Sequence, residues 1–558
     1  MKHYRYILTA AVLTASSAFC NEKLPELSKP LNIPLFLSGN FGELRNNHFH
    51  SGIDLKTQGR IGLPVFSVDD GYVSRIVVSP WGFGRAVYVT HPASGLTTVY
   101  GHLDSFSPKI DKTIRRMQYE REQFSIDCEF KPDELPVKRG ETIGKSGNAG
   151  SSGGPHLHLD VRDTSTGEAI DPLPYFRRHI TDNVAPEVRA VALYPVKGSG
   201  AVESIDKPSV HTPAELNKPY SAWGEVIPAI KAYDRMSGTH NIYGIKYMTL
   251  KVDGKEVYNR TIERFDFDNT RAIHTLVDND AVVNHGSWMM WTLIPQSAPL
   301  DHMITSCDGG VININEEREY KCEWILADEY GNTRRVPFTI QGHVSDIAEV
   351  SPKGDRLDYK GHNTYSIDGI KVDFPAGTFY SDIDFSVSKS PSAEYITPVY
   401  HVGDRAIPVS GSYKLTIDLP DDTIADKSKY LMVRINGKRV SRVDSRYEDG
   451  RVTGTPSALG NFAVTTDTKA PRIRPEVPAR WGKTGVIKVK ISDNLSGIDN
   501  YRGEIDGKFA LFELDGKTGR LNFRMDASRW TRGTKHDLVI SVTDACGNTA
   551  RHESKFTW

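Results

Sequence analysis

The run Gly154-Pro155-His156-Leu157-His158-Leu159-Asp160 decides how this chain is read. Read as a strand, it sets His156 and His158 on one face, because residues i and i+2 of a strand point the same way. A second run, His50-Ser51-Gly52-Ile53-Asp54, offers an imidazole and a carboxylate four residues apart. Neutral imidazole and carboxylate are both zinc ligands, and three protein ligands plus a water make a catalytic site rather than a structural one. His50 and Asp54 would give two ligands and the His-x-His pair a third. The residues alone leave open which member of the pair binds.

A third element is Tyr100-Gly101-His102-Leu103. Hydrolysing a peptide takes more than a metal. Zinc lowers the pKa of its water and polarises the carbonyl. A base must then accept a proton, and a donor must stabilise the tetrahedral oxyanion. Histidine can do either near neutral pH. His102 and whichever of His156 and His158 stays off the metal are available for this. Five side chains thus make up a complete metallohydrolase site.

These motifs, His50-x-x-x-Asp54, Gly-His102-Leu and Gly-Pro-His156-Leu-His158, resemble in kind and order those of the lysostaphin-type, or LytM-like, zinc metalloendopeptidases. The resemblance covers about residues 35–176 and extends to Phe41-Gly-Glu-Leu-Arg45, Val137-Lys-Arg-Gly-Glu-Thr-Ile-Gly144 and Ser146-Gly-Asn-Ala-Gly150. It implies an antiparallel β fold with a groove, one zinc ion per chain held by His50, Asp54 and His158, and His102 with His156 as the non-ligating catalytic pair. It implies peptidoglycan as substrate, cut at its peptide crosslinks. By the same match His48 is not a ligand. After the His-x-His pair the family usually has an aromatic residue and Glu; here stand Leu159 and Asp160.

Composition fits an exported multidomain protein. The chain has 558 residues, too many for one core, and a net charge of −1, which gives no electrostatic reason to expect nucleic acid or an anionic membrane as partner. Residues 1–20 read as a signal peptide: Lys2 and Arg5, a short apolar run from Ile7 to Leu13, then small residues at 15–18. Export to the periplasm or cell envelope follows. Cys20 raises lipoprotein anchoring as an alternative, against which stands the bulky Phe19 directly before it. No later segment is long and apolar enough to be a transmembrane helix. Cys307 and Cys322 flank Asp-Gly-Gly and read either as a disulfide across a β-hairpin or as two free thiols.

The expected fold class is mainly β. An antiparallel LytM-like peptidase domain (21–180) is followed by three β-sandwich-like modules at 181–344, 345–466 and 467–558. The first and third are copies of one Ig-like unit. Asp182-x-x-Ala-Pro matches Asp467-x-x-Ala-Pro, Asp234-x-x-Ser-Gly matches Asp493-x-x-Ser-Gly, Asp253-Gly-Lys matches Asp506-Gly-Lys, and Asp328-x-x-Gly-Asn matches Asp544-x-x-Gly-Asn. These Asp and Gly positions suit calcium ligation, and ordinary turn chemistry accounts for them too. The module at 345–466 reads as a spacer or binding unit. One interruption breaks the peptidase domain: Asp111–Phe124 is polar and helix-forming, either a solvated decoration or a wall of the substrate cleft. Arg45 reads either as a receptor for stem-peptide carboxylates or as a structural ion pair.

The main rival of the enzyme reading is a non-catalytic envelope protein that binds the wall or activates another wall hydrolase. That role would be signalled by a lost ligand, and none is lost here. In either case the modules would seat the chain on the wall or on an envelope protein partner. A structural or adhesive envelope protein is a further rival, and a different zinc carboxypeptidase class would need another ligand spacing with a glutamate base, which the sequence lacks.

Overall fold

The computed structural model describes residues 24–45 and 48–558; the signal segment and Cys20 lie outside the described residues. The chain is mainly β, and nearly all of its strand pairs are antiparallel. No described helix is long and apolar enough to cross a membrane.

The main peptidase sheet is built from β1 (Leu37–Gly39), β2 (Ile53–Lys56), β3 (Gly71–Val78), β4 (Arg85–His91), β5 (Leu96–Gly101), β6 (Ile126–Glu129) and β7 (His156–Asp163). Its order is β1-β2-β7-β5-β4-β3-β6. The apolar alternates of these strands, among them Ile53, Leu55, Val87, Val89, Leu157, Leu159 and Val161, fill one core. That burial drives the sheet together and leaves the facing alternates of β2 and β7 free to carry polar groups. Gly52 lets β2 and β7 close up: a Cβ there would sit 2.3 Å from the Leu159 carbonyl oxygen and 2.5 Å from Asp160 Oδ1.

The inserted helix α1 runs Pro108–Arg121, starting and ending three residues before the sequence-based bounds, with Pro at its N-terminus and Glu122 closing it in the left-handed conformation. It is not a free, solvated decoration. Ile110 and Ile114 bury in the peptidase core, and its outer side carries the last module. There Tyr119 meets Phe509 edge-on at 5.9 Å, the Arg529 guanidinium stacks 3.5 Å over the Tyr119 ring, and Arg502 pairs with Glu122 at 2.8 Å. The sequence could not show this, because the partner of the helix lies almost 400 residues further along.

The first module contains β8 (Glu187–Val202), β9 (Tyr220–Tyr233), β10 (Tyr247–Val252), β11 (Lys255–Thr261), β12 (Glu319–Ala327) and β13 (Thr333–Gly342). They run in the order β8-β9-β13-β12-β10-β11 as one continuous sheet, since β9 pairs antiparallel with β8 and parallel with β13. The sheet folds around one core centred on Trp324, Tyr220 and Tyr258. This core also takes in Phe41, Phe49 and Ala169 of the peptidase region, with Phe41 stacked on Phe265 at 5.0 Å. Buried Lys246 reaches Asp171 at 2.7 Å and pairs with Glu329, tying the two units together. The middle module is two five-stranded sheets and a two-stranded one around a separate core, and the last is two four-stranded sheets around another.

Cys307 and Cys322 are both free. They do not face each other across a hairpin: Cys322 lies opposite Val252 on β10, whereas the Cys307 amide bonds to the Val257 carbonyl on β11.

Candidate metal centre

Sheet register assembles the site. Asp54 on β2 lies directly opposite His158 on β7, and His158 lies opposite Gly101, the last residue of β5. His102 therefore leaves β5 beside His158. His50 arrives from the turn before β2. The result is a tight group: His50 Nε2 is 3.1 Å from Asp54 Oδ1 and 3.1 Å from His158 Nδ1, and His158 Nδ1 is 3.0 Å from Asp54 Oδ1. All three side chains are buried. Two ligands on one zinc at about 2.05 Å and the tetrahedral angle lie about 3.4 Å apart, so two nitrogens and one oxygen at this spacing suit that ion.

Hydrogen bonds decide which ring atoms face the centre. His50 Nδ1–H donates to the Asn40 carbonyl at 2.7 Å, which turns the Nε2 lone pair inward. His158 does the reverse: its Nε2–H donates to Asp160 Oδ1 at 2.5 Å, so Nδ1 faces Asp54. Asp160 has no solvent exposure and is itself held by Ser51 Oγ at 3.0 Å and by Arg162 at 3.0 and 2.5 Å. A carboxylate behind a ligating imidazole fixes the tautomer and raises its basicity. Asp160 and Arg162 belong to none of the three ligand motifs, yet the strand period points to them. His156, His158, Asp160 and Arg162 are alternate residues of one strand and share a face.

Asp54 is divided between two tasks. Oδ1 faces the histidines, while Oδ2 accepts from Arg45 at 2.9 Å. Of the two readings of Arg45, the ion pair is the one the structure holds, with Glu43 as a second partner at 3.6 Å.

His156 and His102 stand beside this group. His156 Nδ1–H donates to the Gly154 carbonyl at 2.8 Å, leaving Nε2 3.3 Å from Asp54 Oδ1. His102 Nδ1–H donates to the Ala149 carbonyl at 2.8 Å, and the two rings lie 4.7 Å apart. His102 has φ +59°, a left-handed backbone that non-glycine residues rarely adopt. His48 also lies near enough to feel the charges of His50 and His158.

The electrostatics follow from this geometry. Burial opposes charge on Asp54, but His50 and hydrogen bonds from His156 and His158 outweigh it and hold the carboxyl far below its ordinary range. Burial also opposes charge on His158, yet Asp160 and Asp54 push it up to about 9. His102, buried and next to His158 and His156, is pushed down to about 3, so it is neutral at physiological pH.

The last module touches the rim of this site. Lys517 lies in the turn between β14 (Glu513–Asp515) and β15 (Arg520–Arg524). Its ammonium donates to the carbonyls of Asn148 at 2.5 Å and Ser152 at 3.1 Å. These belong to the loop whose Ala149 carbonyl orients His102 and whose Ser152 hydroxyl lies 3.2 Å from His156 Nδ1. Arg85–Glu513, at 2.7 Å, closes the same contact.

With this geometry in view, similarity to known proteins can be placed. Over 124 residues the chain is 32% identical to an uncharacterized metalloprotease of Haemophilus influenzae, covering 22% of this chain and 20% of that protein. It is 32% identical to the DD-carboxypeptidase/endopeptidase Mpg of Neisseria meningitidis over 124 residues, 22% of each. Both matches fall on a 124-residue stretch, and what they show is that this part of the chain is similar to metallopeptidases. Among solved structures, the catalytic domain of lysostaphin from Staphylococcus simulans is 25% identical, covering 25% of this chain and 90% of that one, with a TM-score of 0.19. The chain spans about a fifth of the length of the curated relatives it matches. Residues 355–467 match a Zu5-like domain.

Proposed function

We propose that this protein is an exported zinc metalloendopeptidase that hydrolyses peptide crosslinks of peptidoglycan. The observation that carries the reading is the convergence of His50 Nε2, Asp54 Oδ1 and His158 Nδ1, each turned inward by its own hydrogen bonds, beside two histidines tied back through Nδ1. When bound there, zinc would supply a Lewis acid and an activated water. Nε2 of His102 is left unclaimed by its Nδ1 tether, and Nε2 of His156 faces the centre beside Asp54 Oδ1. An imidazole so held presents the Nε2 lone pair and can take a proton there from the attacking water; once protonated on Nε2 it can donate to the developing oxyanion. The left-handed backbone at His102 is the kind of local strain that the surrounding hydrogen bonds maintain at a working site. The relative from Neisseria is named for carboxypeptidase and endopeptidase activity, which supports the substrate class. Export rests on the N-terminal sequence; the divisions at 344 and 466 rest on separate cores, and that at 180 on the sequence, since there the two units share a strand pair and core residues.

The test uses full-length protein and purified peptidoglycan, with products read by mass spectrometry. Wild type should hold one zinc and release crosslink-derived muropeptides. His50→Ala should lose the zinc. His156→Ala should keep it and lose cleavage; retained cleavage would sink the catalytic assignment.

A further inference from the structure

Turn chemistry explains part of the repeated Asp pattern in the first module, and the remainder points to a ligand. Asp182 precedes β8, Asp234 follows β9 and Asp328 follows β12. The fold brings one carboxylate oxygen of each within 4.8 Å of the other two. Asp328 is well satisfied by the amides of Tyr330 and Asn332 and the Asn332 side chain. Asp182 Oδ1 is satisfied by Val184 and Ser237.

Two oxygens are left over. Asp234 is only 5% exposed, and its Oδ1 has no hydrogen-bond partner; Asp182 Oδ2 has none either. None of the three carboxylates takes part in an ion pair among the described residues. A buried anionic oxygen with neither donor nor cation is costly, and three carboxylates at this spacing repel one another.

The same constellation recurs in the last module. Asp467, Asp493 and Asp544 converge within the same limit, and Asp493 Oδ1 is again unpartnered. Asp467 accepts from the Ser496 amide as Asp182 does from that of Ser237. Asp544 accepts from the amide and side chain of Asn548 as Asp328 does from those of Asn332. Turn formation alone does not require that three residues from three separate stretches meet at one point in each copy.

We propose that Asp182, Asp234 and Asp328 form a calcium site at the junction of the peptidase domain and the first module. The donor set is all oxygen, which selects a hard cation, and calcium tolerates the irregular geometry of loop carboxylates. The location gives the site a purpose. Asp182 lies two residues beyond Ile180, whose side chain is in the peptidase core and whose carbonyl accepts from Tyr330 at 2.8 Å. Met236 and Tyr243, which flank the Asp234 loop, are also in that core. A cation bridging Asp182 to Asp234 and Asp328 pins the linker to the module.

The test is isothermal titration of calcium chloride into zinc-loaded, full-length protein passed over a chelating resin. Wild type should bind calcium with a dissociation constant on the order of 10⁻⁴–10⁻³ M or tighter. Asp234→Asn, which is isosteric, should bind one equivalent fewer, whether or not the second copy also binds. Its melting temperature without calcium should be no lower than that of wild type. Asp182→Asn, which keeps the Oδ1 acceptor for Ser237, should lose the same equivalent. Wild type that binds no calcium, or variants with unchanged stoichiometry, would overturn the proposal.

Discussion

Asp160→Asn tests the electrostatic logic of the centre most directly. Asp160 Oδ1 accepts the His158 Nε2–H at 2.5 Å and the Ser51 hydroxyl at 3.0 Å, while Oδ2 accepts from Arg162. An amide has one acceptor and one donor, so it cannot serve both sides. If its NH2 turns to Arg162, donors meet donors beside a buried guanidinium. If it turns to His158, the ring must carry its proton on Nδ1, where the lone pair for zinc is needed. Losing such an outer partner typically costs 10- to 100-fold in metal affinity, about 1.4–2.7 kcal/mol. Competition with a chromophoric zinc chelator at neutral pH reads this loss, and circular dichroism checks that the β fold persists. Asp160→Glu, which keeps the charge, should fall between the two. If Asp160→Asn binds zinc within about twofold of wild type and cleaves at the same rate, Asp160 does not fix the tautomer of His158 and the argument fails.

Three further outcomes follow from the same structure. His158 is pushed from its ordinary 6.5 up to about 9, so the stability its proton contributes is fully present below pH 6.5 and lost as pH rises through about 9. Chelator-treated protein should thus melt progressively lower across that window, and zinc-loaded protein should not, because the ion takes the proton's place on Nδ1. Gly52→Ala would force a Cβ to within 2.3 Å of the Leu159 carbonyl oxygen, so β2 and β7 must separate; a loss of about 1–3 kcal/mol in chemical denaturation and weaker zinc binding are expected. Lys517→Ala removes two donors from the 148–152 loop and should lower kcat by about fivefold with zinc content unchanged, which steady-state kinetics with metal analysis will read.

The residues of the centre were legible because each belongs to a short local pattern. His50-x-x-x-Asp54 and His156-x-His158 state their geometry within a few positions. Strand pairing then adds only the register that sets Asp54 opposite His158. Asp160 and Arg162 are equally legible by the two-residue period of β7, but Asp160 enters the sequence reading only as a departure from the family pattern, and a charged residue on a strand, like Arg162, resembles ordinary surface. The docking of α1 and of Lys517 has no local signature at all. An amphipathic helix shows that one side is buried, not that its other side meets Phe509 and Arg529. Of the two readings of Cys307 and Cys322, free thiols is the one the structure holds: proximity in sequence suggests a hairpin, whereas Cys322 sits on a strand paired with β10 and Cys307 follows a strand paired with β11.

The contact between Lys517 and the loop at 148–152 also bears on timing. The brace on the carbonyls of Asn148 and Ser152 lies 369 and 365 residues downstream of them. A chain synthesised from its N-terminus completes all five histidine and aspartate positions early, but the loop that aims His102 and His156 gains its last support only after residue 517 has emerged and its module has folded. Maturation of the cleft is thereby tied to completion of the chain. A truncated product would carry every residue of the centre and still lack the contact that braces the loop beside His102 and His156.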